Sequence, residues 1–228
     1  MSTNFSGSRL VRLLGEATLR DLDAPRQDFA ERLSQWLSAV DTVKLHAALP
    51  PGRVDGSGGQ VPATPSAQAI AWRERAQSEL TLVRASLSQA MATQAAQALR
   101  DAAHELDAGA APHRKRHLDM QRQMEVKIAP LRALLRQALA QASPRLRQLA
   151  TLDAALEQTL SAREQRLMST VPLLLEKRLG HLQATQPHDW HPAFVRETQE
   201  MLQAELDARL QPVMGLMDAL SSETETKQ

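Results

Sequence analysis

Residues 120–139 read MQRQMEVKIAPLRALLRQAL, and this stretch decides the fold class. Its large apolar residues recur every three or four positions, at Met120, Met124, Ile128, Leu131, Leu135 and Leu139. That spacing places them on one face of an α-helix, with the polar residues on the other faces. Pro130 interrupts the pattern and removes one backbone N–H donor. We therefore predict one long helix, from about residue 113 to 141, with a kink at Pro130.

The helical spacing continues on both sides of this stretch. Upstream, residues 66–108 carry a stripe of widely spaced Leu, Ile, Val and Met with Ala between them. Downstream, helices are predicted over 144–168, with Ser143 as the N-cap, and over 192–220, with a second kink at Pro212. Pro172 predicts a break near Thr170. Residues 180–190, which contain Gly, His, Gln and Pro, are predicted to form a loop.

The composition agrees with this pattern. Aromatic residues make up 3% of the 228-residue chain, and Tyr is absent. Ala, Leu, Gln, Arg and Glu dominate, and all of them favour helices over strands. We predict an all-α fold: an elongated helical bundle with coiled-coil character, long kinked helices and a short N-terminal helical hairpin.

The chain divides at a Pro- and Gly-rich segment. Residues 1–49 show two apolar stripes, the second running from Phe29 to Val43, and are predicted to form the helical hairpin. Residues 50–65 have no periodicity and are predicted to be a flexible linker. Residues 66–220 form the long-helix bundle in this interpretation, and residues 221–228 form a polar tail.

Several classes of protein are disfavoured by what the sequence lacks. The chain has no Cys, which excludes disulfides, thiolate metal sites and Cys nucleophiles. No run of apolar residues approaches the roughly 18 that a membrane-spanning helix needs. The first nine residues do not have the pattern of a signal peptide. We therefore expect no membrane insertion and a cytoplasmic location.

Charge is unevenly distributed although the net charge is only +1. Residues 112–147 contain nine Lys or Arg against two acidic residues, a net of +7, whereas residues 189–228 carry −5. Such a basic segment can bind a charged partner, or it can pair with an acidic helix of the same chain, for which the C-terminal segment 189–228 is available. The residues nominated for partner docking are Arg114, Lys115, Arg116, Arg122, Arg132 and Arg136.

Two His motifs are candidates for metal binding, and both are weak. His113 and His117 are four residues apart, so both could reach one metal on a helix. The three cations between them oppose a divalent ion, and no further ligands are apparent. His188 and His191 flank Asp189 and Trp190, but His191 precedes Pro192 and fits the start of a helix. We predict no catalytic residue, no metal site and no cofactor.

These observations favour a non-enzymatic protein–protein interaction or scaffold protein. Its partner is a protein of unknown identity, and its apolar stripes also allow homo-oligomers. A nucleic-acid-associated protein using residues 112–147 is the alternative. No aromatic residue lies between Trp72 and Trp190 to stack on bases, so nucleic acid is the less favoured partner.

Five stretches carry a resemblance to a known family: LVRLL at 10–14, QDFAERLSQWL at 27–37, IAPLR at 128–132, RLRQLA at 145–150 and ARLQPVMGL at 208–216. They resemble an uncharacterised proteobacterial family of helical proteins, known only as a domain of unknown function. The resemblance implies a bacterial cytoplasmic protein. It also implies genes near those of OmpA-like and motor-stator-like envelope proteins, and hence an accessory role in an envelope assembly. It assigns no functional residues.

Overall fold

The computed structural model describes Arg9, Leu10, Leu13 and residues 67–101, 109–186 and 188–225. All regular secondary structure in these residues is helical, which confirms the all-α class. Five helices follow one another: α1 (Ala67–Arg100), α2 (Ala111–Ala142), α3 (Pro144–Met168), α4 (Val171–Thr185) and α5 (Trp190–Glu225). The coiled-coil character stays a prediction.

The predicted helix boundaries have clear local causes. The backbone N–H of Leu146 donates to Oγ of Ser143 at 3.3 Å, and Pro144 occupies the first helical position, where no N–H is needed. Thr170 occupies the N-cap position of α4 without a side-chain capping hydrogen bond, and Pro172 lies in the first turn, so the predicted break near Thr170 is confirmed. Gly109 has a φ of 64°, the left-handed conformation that glycine adopts most easily at a turn.

Prolines lie inside two of the long helices. α2 continues through Pro130 and α5 through Pro212, and some of the long helices are bent. Each proline removes one i to i−4 hydrogen bond, while the flanking apolar residues remain buried. Burial of that face therefore keeps the chain helical on both sides of each proline.

The predicted loop over residues 180–190 is wrong for its first half. α4 passes through Gly180 and ends at Thr185. Leu179 and Leu182, on either side of Gly180, are 3% and 1% exposed. Burying two leucines stabilises the helix by about 3 kcal/mol or more, which outweighs the cost of about 1 kcal/mol for a helical glycine.

The chain forms two compact units. Some of the long helices are divided, with one part in each unit. Unit 1 contains the described residues of 1–27, 84–127 and 163–209, and unit 2 those of 28–83, 128–162 and 210–228. The core of unit 1 joins α4 and the first half of α5, through Val171, Leu175, Leu179, Leu182, Trp190, Phe194, Met201 and Ala204. Leu10 belongs to this core, and Leu13 packs against it.

Unit 2 has its own buried residues from α1, α2, α3 and α5. They include the second half of the stripe that opened the sequence analysis, namely Ile128, Leu131, Leu135 and Leu139. The last two are fully buried. Nε1 of Trp72 donates to Oε1 of Gln141 at 3.1 Å within the same unit.

Some sequence predictions fall outside the described residues. These are the hairpin over 1–49, apart from Arg9, Leu10 and Leu13, the linker over 50–65, and the helix over 102–108. α5 extends to Glu225, into the segment predicted as a polar tail. None of the described helices is both long enough and apolar enough to span a membrane.

Candidate functional site

A buried polar cluster lies in unit 1 between α2 and α5. Nε2 of His117 is 2.5 Å from Oε1 of Glu205, and the two side chains are 1% and 0% exposed. Nε2 of Gln121 donates to the other oxygen of Glu205 at 2.7 Å and to the carbonyl oxygen of Met168 at 3.0 Å. The carboxylate therefore has a partner on each oxygen, as a buried charge requires.

Helical spacing brings these residues together. His117 and Gln121 are one turn apart on α2, next to the buried Met120 and Met124. Glu205 lies one turn after Met201 on the buried face of α5. In the tautomer with the ring proton on Nε2, His117 donates to Oε1 of Glu205 and Nδ1 is left as an acceptor.

The other side of the His117 ring faces a small cavity of about 30 Å³. Gln94 from α1 and Thr198 from α5 also line this cavity, together with His113 and apolar side chains. The buried atoms of these lining residues that have no hydrogen-bond partner among the described residues include Nδ1 of His117, Oε1 of Gln94 and Oγ1 of Thr198. Glu205 does not line the cavity.

A carboxylate on one ring nitrogen of a histidine and an open space at the other is an arrangement that can move protons. The space of about 30 Å³ beside the ring is large enough for an ordered water.

The nominated residues Arg132 and Arg136 lie in unit 2 and bind two carboxylates of α3. Arg132 donates to Asp153 at 2.6 and 2.9 Å and to Glu157 at 3.2 Å. Arg136 donates to each of the same two carboxylates at 2.6 Å. All four side chains are at most 36% exposed. These two arginines therefore hold α2 and α3 together within unit 2.

The pKa values in this cluster follow from its geometry. Burial on its own raises the pKa of Asp153, but the hydrogen bonds from Arg132 and Arg136 outweigh it and bring the pKa below its ordinary value. Burial likewise lowers the pKa of Arg136, and the hydrogen bonds to Glu157 and Asp153 outweigh that effect and raise it. Both shifts favour the charged forms that make the ion pairs.

Arg114 and Arg116, in unit 1, also have contacts within the chain. Arg114 pairs with Glu176 of α4 at 3.1 Å and remains 49% exposed. Nη2 of Arg116 donates to Nδ1 of His113 at 2.9 Å. The acidic partners of Arg114, Arg132 and Arg136 thus come from α3 and α4. The sequence suggested the acidic segment 189–228 as the internal partner of the basic segment.

The structure separates the residues of the two His motifs. His113 accepts from Arg116, while His117 donates to Glu205. His191 is buried at the start of α5, and its ring lies 5.2 Å from that of Trp190 and 6.2 Å from that of His113. Within the described ranges, no three His, Asp or Glu residues are placed to hold one metal ion.

The remaining nominated residues, Lys115 and Arg122, lie on an exposed stripe of α2. Leu118 and Val126 share this stripe and are 44% and 66% exposed, which is high for large apolar residues. We call Lys115, Leu118, Arg122 and Val126 the docking face. Lys115 and Arg122 have no acidic side chain within ion-pair distance in the part of the chain that the structure describes.

Another exposed apolar residue of unit 1 lies on α4. Arg114 pairs with Glu176 and Gln121 with Met168, so the chain from 168 to 176 runs antiparallel to α2. Leu173 falls between these two contacts, as Leu118 does on α2, and it is 49% exposed. Acidic residues are also present, since Asp119 and Glu125 flank the stripe.

Sequence reasoning missed Glu205, Gln121 and the exposed apolar residues. Glu205 could have been noticed as a lone acid next to the apolar stripe of α5. Leu118 and Val126 could have been noticed as apolar residues outside the buried stripe of α2. No sequence signal pairs His117 with Glu205, because 88 residues separate them.

Taken together, the fold and these sites define an all-α protein with a buried His–carboxylate cluster and an exposed apolar and basic helix face. The chain belongs to the family described as "Protein of unknown function (DUF3348)", whose model matches residues 1–222. Comparison with curated proteins and with solved structures gave no significant match. The family membership confirms the resemblance to an uncharacterised family, while its bacterial group and gene neighbours stay predictions.

Proposed function

We propose that this protein is a non-enzymatic interaction protein that binds a helical protein partner through the docking face of α2. The observation that carries the proposal is the exposure of Leu118 and Val126, two turns apart, on the same stripe as Lys115 and Arg122. Exposed apolar side chains rimmed by charge are typical of interaction surfaces.

The chemistry of the face indicates the kind of partner. Residues 115, 118, 122 and 126 follow the spacing by which one helix contacts another. Leu118 and Val126 would be buried by apolar residues of the partner, and Lys115 and Arg122 would pair with its acidic residues. An amphipathic helix with acidic edges fits both requirements.

The internal ion pairs favour a protein partner over nucleic acid. A nucleic-acid surface needs many free cations to release counterions from phosphates. Arg114, Arg132 and Arg136 each bind a carboxylate of the same chain. Among the six nominated residues, Lys115 and Arg122 have no described acidic partner, and they lie beside the two exposed apolar side chains.

The cellular setting is also part of the proposal. A cytoplasmic location and an accessory role in a bacterial envelope assembly rest on the resemblance of the sequence to its family. The homo-oligomer remains open as well, because a second copy could cover Leu118 and Val126.

A comparison of variants tests the docking face. Leu118→Ser/Val126→Ser and Lys115→Glu/Arg122→Glu each change the face, and both should lose the same partner in affinity capture from the host lysate. Leu82→Ser/Leu99→Ser and Arg145→Glu are the controls, because they change equally exposed residues elsewhere. The controls should retain that partner.

Three outcomes separate the alternatives. Loss of a partner in the face variants alone supports the proposal. A change in molar mass by light scattering in the face variants alone identifies a second copy as the partner. Equal capture by face variants and controls contradicts the proposal. A gel shift that falls steeply with added salt would then support the nucleic-acid alternative.

A further inference from the structure

Three helices line the cavity beside His117, and each contributes a polar side chain with a buried atom that has no described hydrogen-bond partner. Gln94 Oε1 comes from α1, His117 Nδ1 from α2 and Thr198 Oγ1 from α5. All three atoms are buried and have no hydrogen-bond partner in the described ranges. The His117 side chain is 1% exposed, so bulk water does not hydrate Nδ1 directly.

Leaving these atoms unpaired would be costly. A buried polar group without a hydrogen bond loses the favourable interactions that it had with water. Nearly all buried polar groups in folded proteins have a protein or water partner. The observed cavity of about 30 Å³ exceeds the roughly 15 Å³ that one ordered water requires.

We propose that this cavity binds an ordered water molecule that joins α1, α2 and α5. The water donates to Nδ1 of His117 and to Oε1 of Gln94 and accepts from the hydroxyl of Thr198. It makes about three hydrogen bonds, the usual number for a buried water.

A metal ion fits less well. It would need further ligands, but Glu205 is held by His117 and Gln121, and Nδ1 of His113 accepts from Arg116. One amide oxygen and one imidazole nitrogen that accept, with one hydroxyl that donates, are a set of partners that a single water satisfies.

The bound water also defines a structural role for the buried cluster. His117 contacts Glu205 through Nε2 and the water through Nδ1, so one imidazole connects the carboxylate of α5 to polar groups of α1 and α5. A water shared by three helices makes the stabilising effects of Gln94 and Thr198 depend on each other, although the two side chains make no described hydrogen bond to one another.

A double-mutant cycle and a crystal structure test the proposal. Gln94→Met and Thr198→Val remove the polar atoms at nearly constant volume, singly and together, in the full-length chain. If the water is shared, either substitution alone raises the unfolding equilibrium constant several-fold. In a chain that already carries one of them, the other substitution raises it much less. The control cycle pairs Gln94→Met with Val195→Ala, since Val195 lines the same cavity without a polar side-chain atom.

The result has two clear readings. A strong coupling between Gln94 and Thr198 that exceeds the control, with electron density for water at Nδ1 of His117, supports the proposal. The proposal is wrong if the changes in the unfolding equilibrium constant caused by Gln94→Met and Thr198→Val multiply in the double variant, as they do in the control cycle. A high-resolution crystal structure with a dry cavity would also overturn it. Thr198→Ser retains the hydroxyl and should preserve the coupling.

Discussion

Nε2 of His117 lies 2.5 Å from Oε1 of Glu205, although the two residues are 88 positions apart in the chain and both are almost fully buried. Replacing one member of such a pair leaves the other as an uncompensated polar group in the core. Replacing both members by apolar residues leaves no such group from the pair. This asymmetry makes the pair measurable by urea unfolding.

We expect Glu205→Ala to lower the free energy of unfolding by about 3 kcal/mol, because His117 and Gln121 both lose their acceptor. The double variant His117→Leu/Glu205→Leu should cost clearly less than the sum of the two single Leu variants. Additive losses would show that the two side chains do not interact in solution.

Acid should weaken the cluster of Arg132, Arg136 and Asp153. Burial raises the pKa of Asp153, but the hydrogen bonds from the two arginines outweigh it, so its folded pKa lies below the ordinary value of 3.8. The unfolded chain therefore binds this proton more tightly than the folded chain does. The stabilisation contributed by the ionised carboxylate of Asp153 is fully present above pH 3.8 and is lost as the pH falls through the folded pKa.

The variant Asp153→Asn isolates this effect. We expect it to lower the free energy of unfolding by about 1–2 kcal/mol at neutral pH, less than for a fully buried pair because the partners are partly exposed. The difference in free energy of unfolding from the unmodified protein should shrink as the pH falls below about 3.8, the ordinary pKa of Asp153 in the unfolded chain. A difference that stays constant over this range in urea unfolding would argue against the low pKa.

Replacing either of two glycines by alanine should change the stability of the protein, with opposite signs at the two positions. Gly109 has a φ of 64°, where a Cβ is strained, so Gly109→Ala should destabilise the protein by about 1 kcal/mol. Gly180 lies inside α4 with nothing within 4 Å of a Cβ, so Gly180→Ala should stabilise it by up to about 1 kcal/mol. Thermal unfolding of the two variants checks both signs, and equal shifts would contradict the assigned backbone conformations.

The docking face should contribute little to stability. Val126→Ala should change the free energy of unfolding by less than about 0.5 kcal/mol, because Val126 is 66% exposed. Met124→Ala, two residues earlier and fully buried, should cost about 2–5 kcal/mol. If Val126→Ala is as costly as Met124→Ala, Val126 is covered within the chain and cannot contact a partner.

Much of the fold could be predicted from local patterns. The inward residues from Met120 to Leu139 are all buried, and the starts of α3 and α4 follow from Ser143, Thr170 and the prolines after them. The helix through Gly180 was missed because the local residue types favour a loop. The burial of Leu179 and Leu182, which stabilises the helix, was not visible in the sequence. Burial depends on neighbouring helices, which the local sequence does not specify.

The candidate sites could be predicted only in part. The basic segment was recognised by counting charges, but the count does not distinguish Arg132, which binds Asp153, from Arg122, which has no described acidic partner. That distinction depends on which acidic residues of α3 and α4 lie opposite each arginine. Ion pairs between helices depend on how the helices pack, so they cannot be predicted from the composition of one segment.

The sequence by itself determined the helical class, the buried stripes and most helix ends, because these depend on residues within one or two turns of each other. The tertiary structure alone decided that His117 binds Glu205, that Arg132 and Arg136 bind Asp153, and that Leu118 and Val126 stay exposed. These contacts join positions that are distant in the chain. They form because burial of the apolar faces fixes which polar groups come within hydrogen-bond distance.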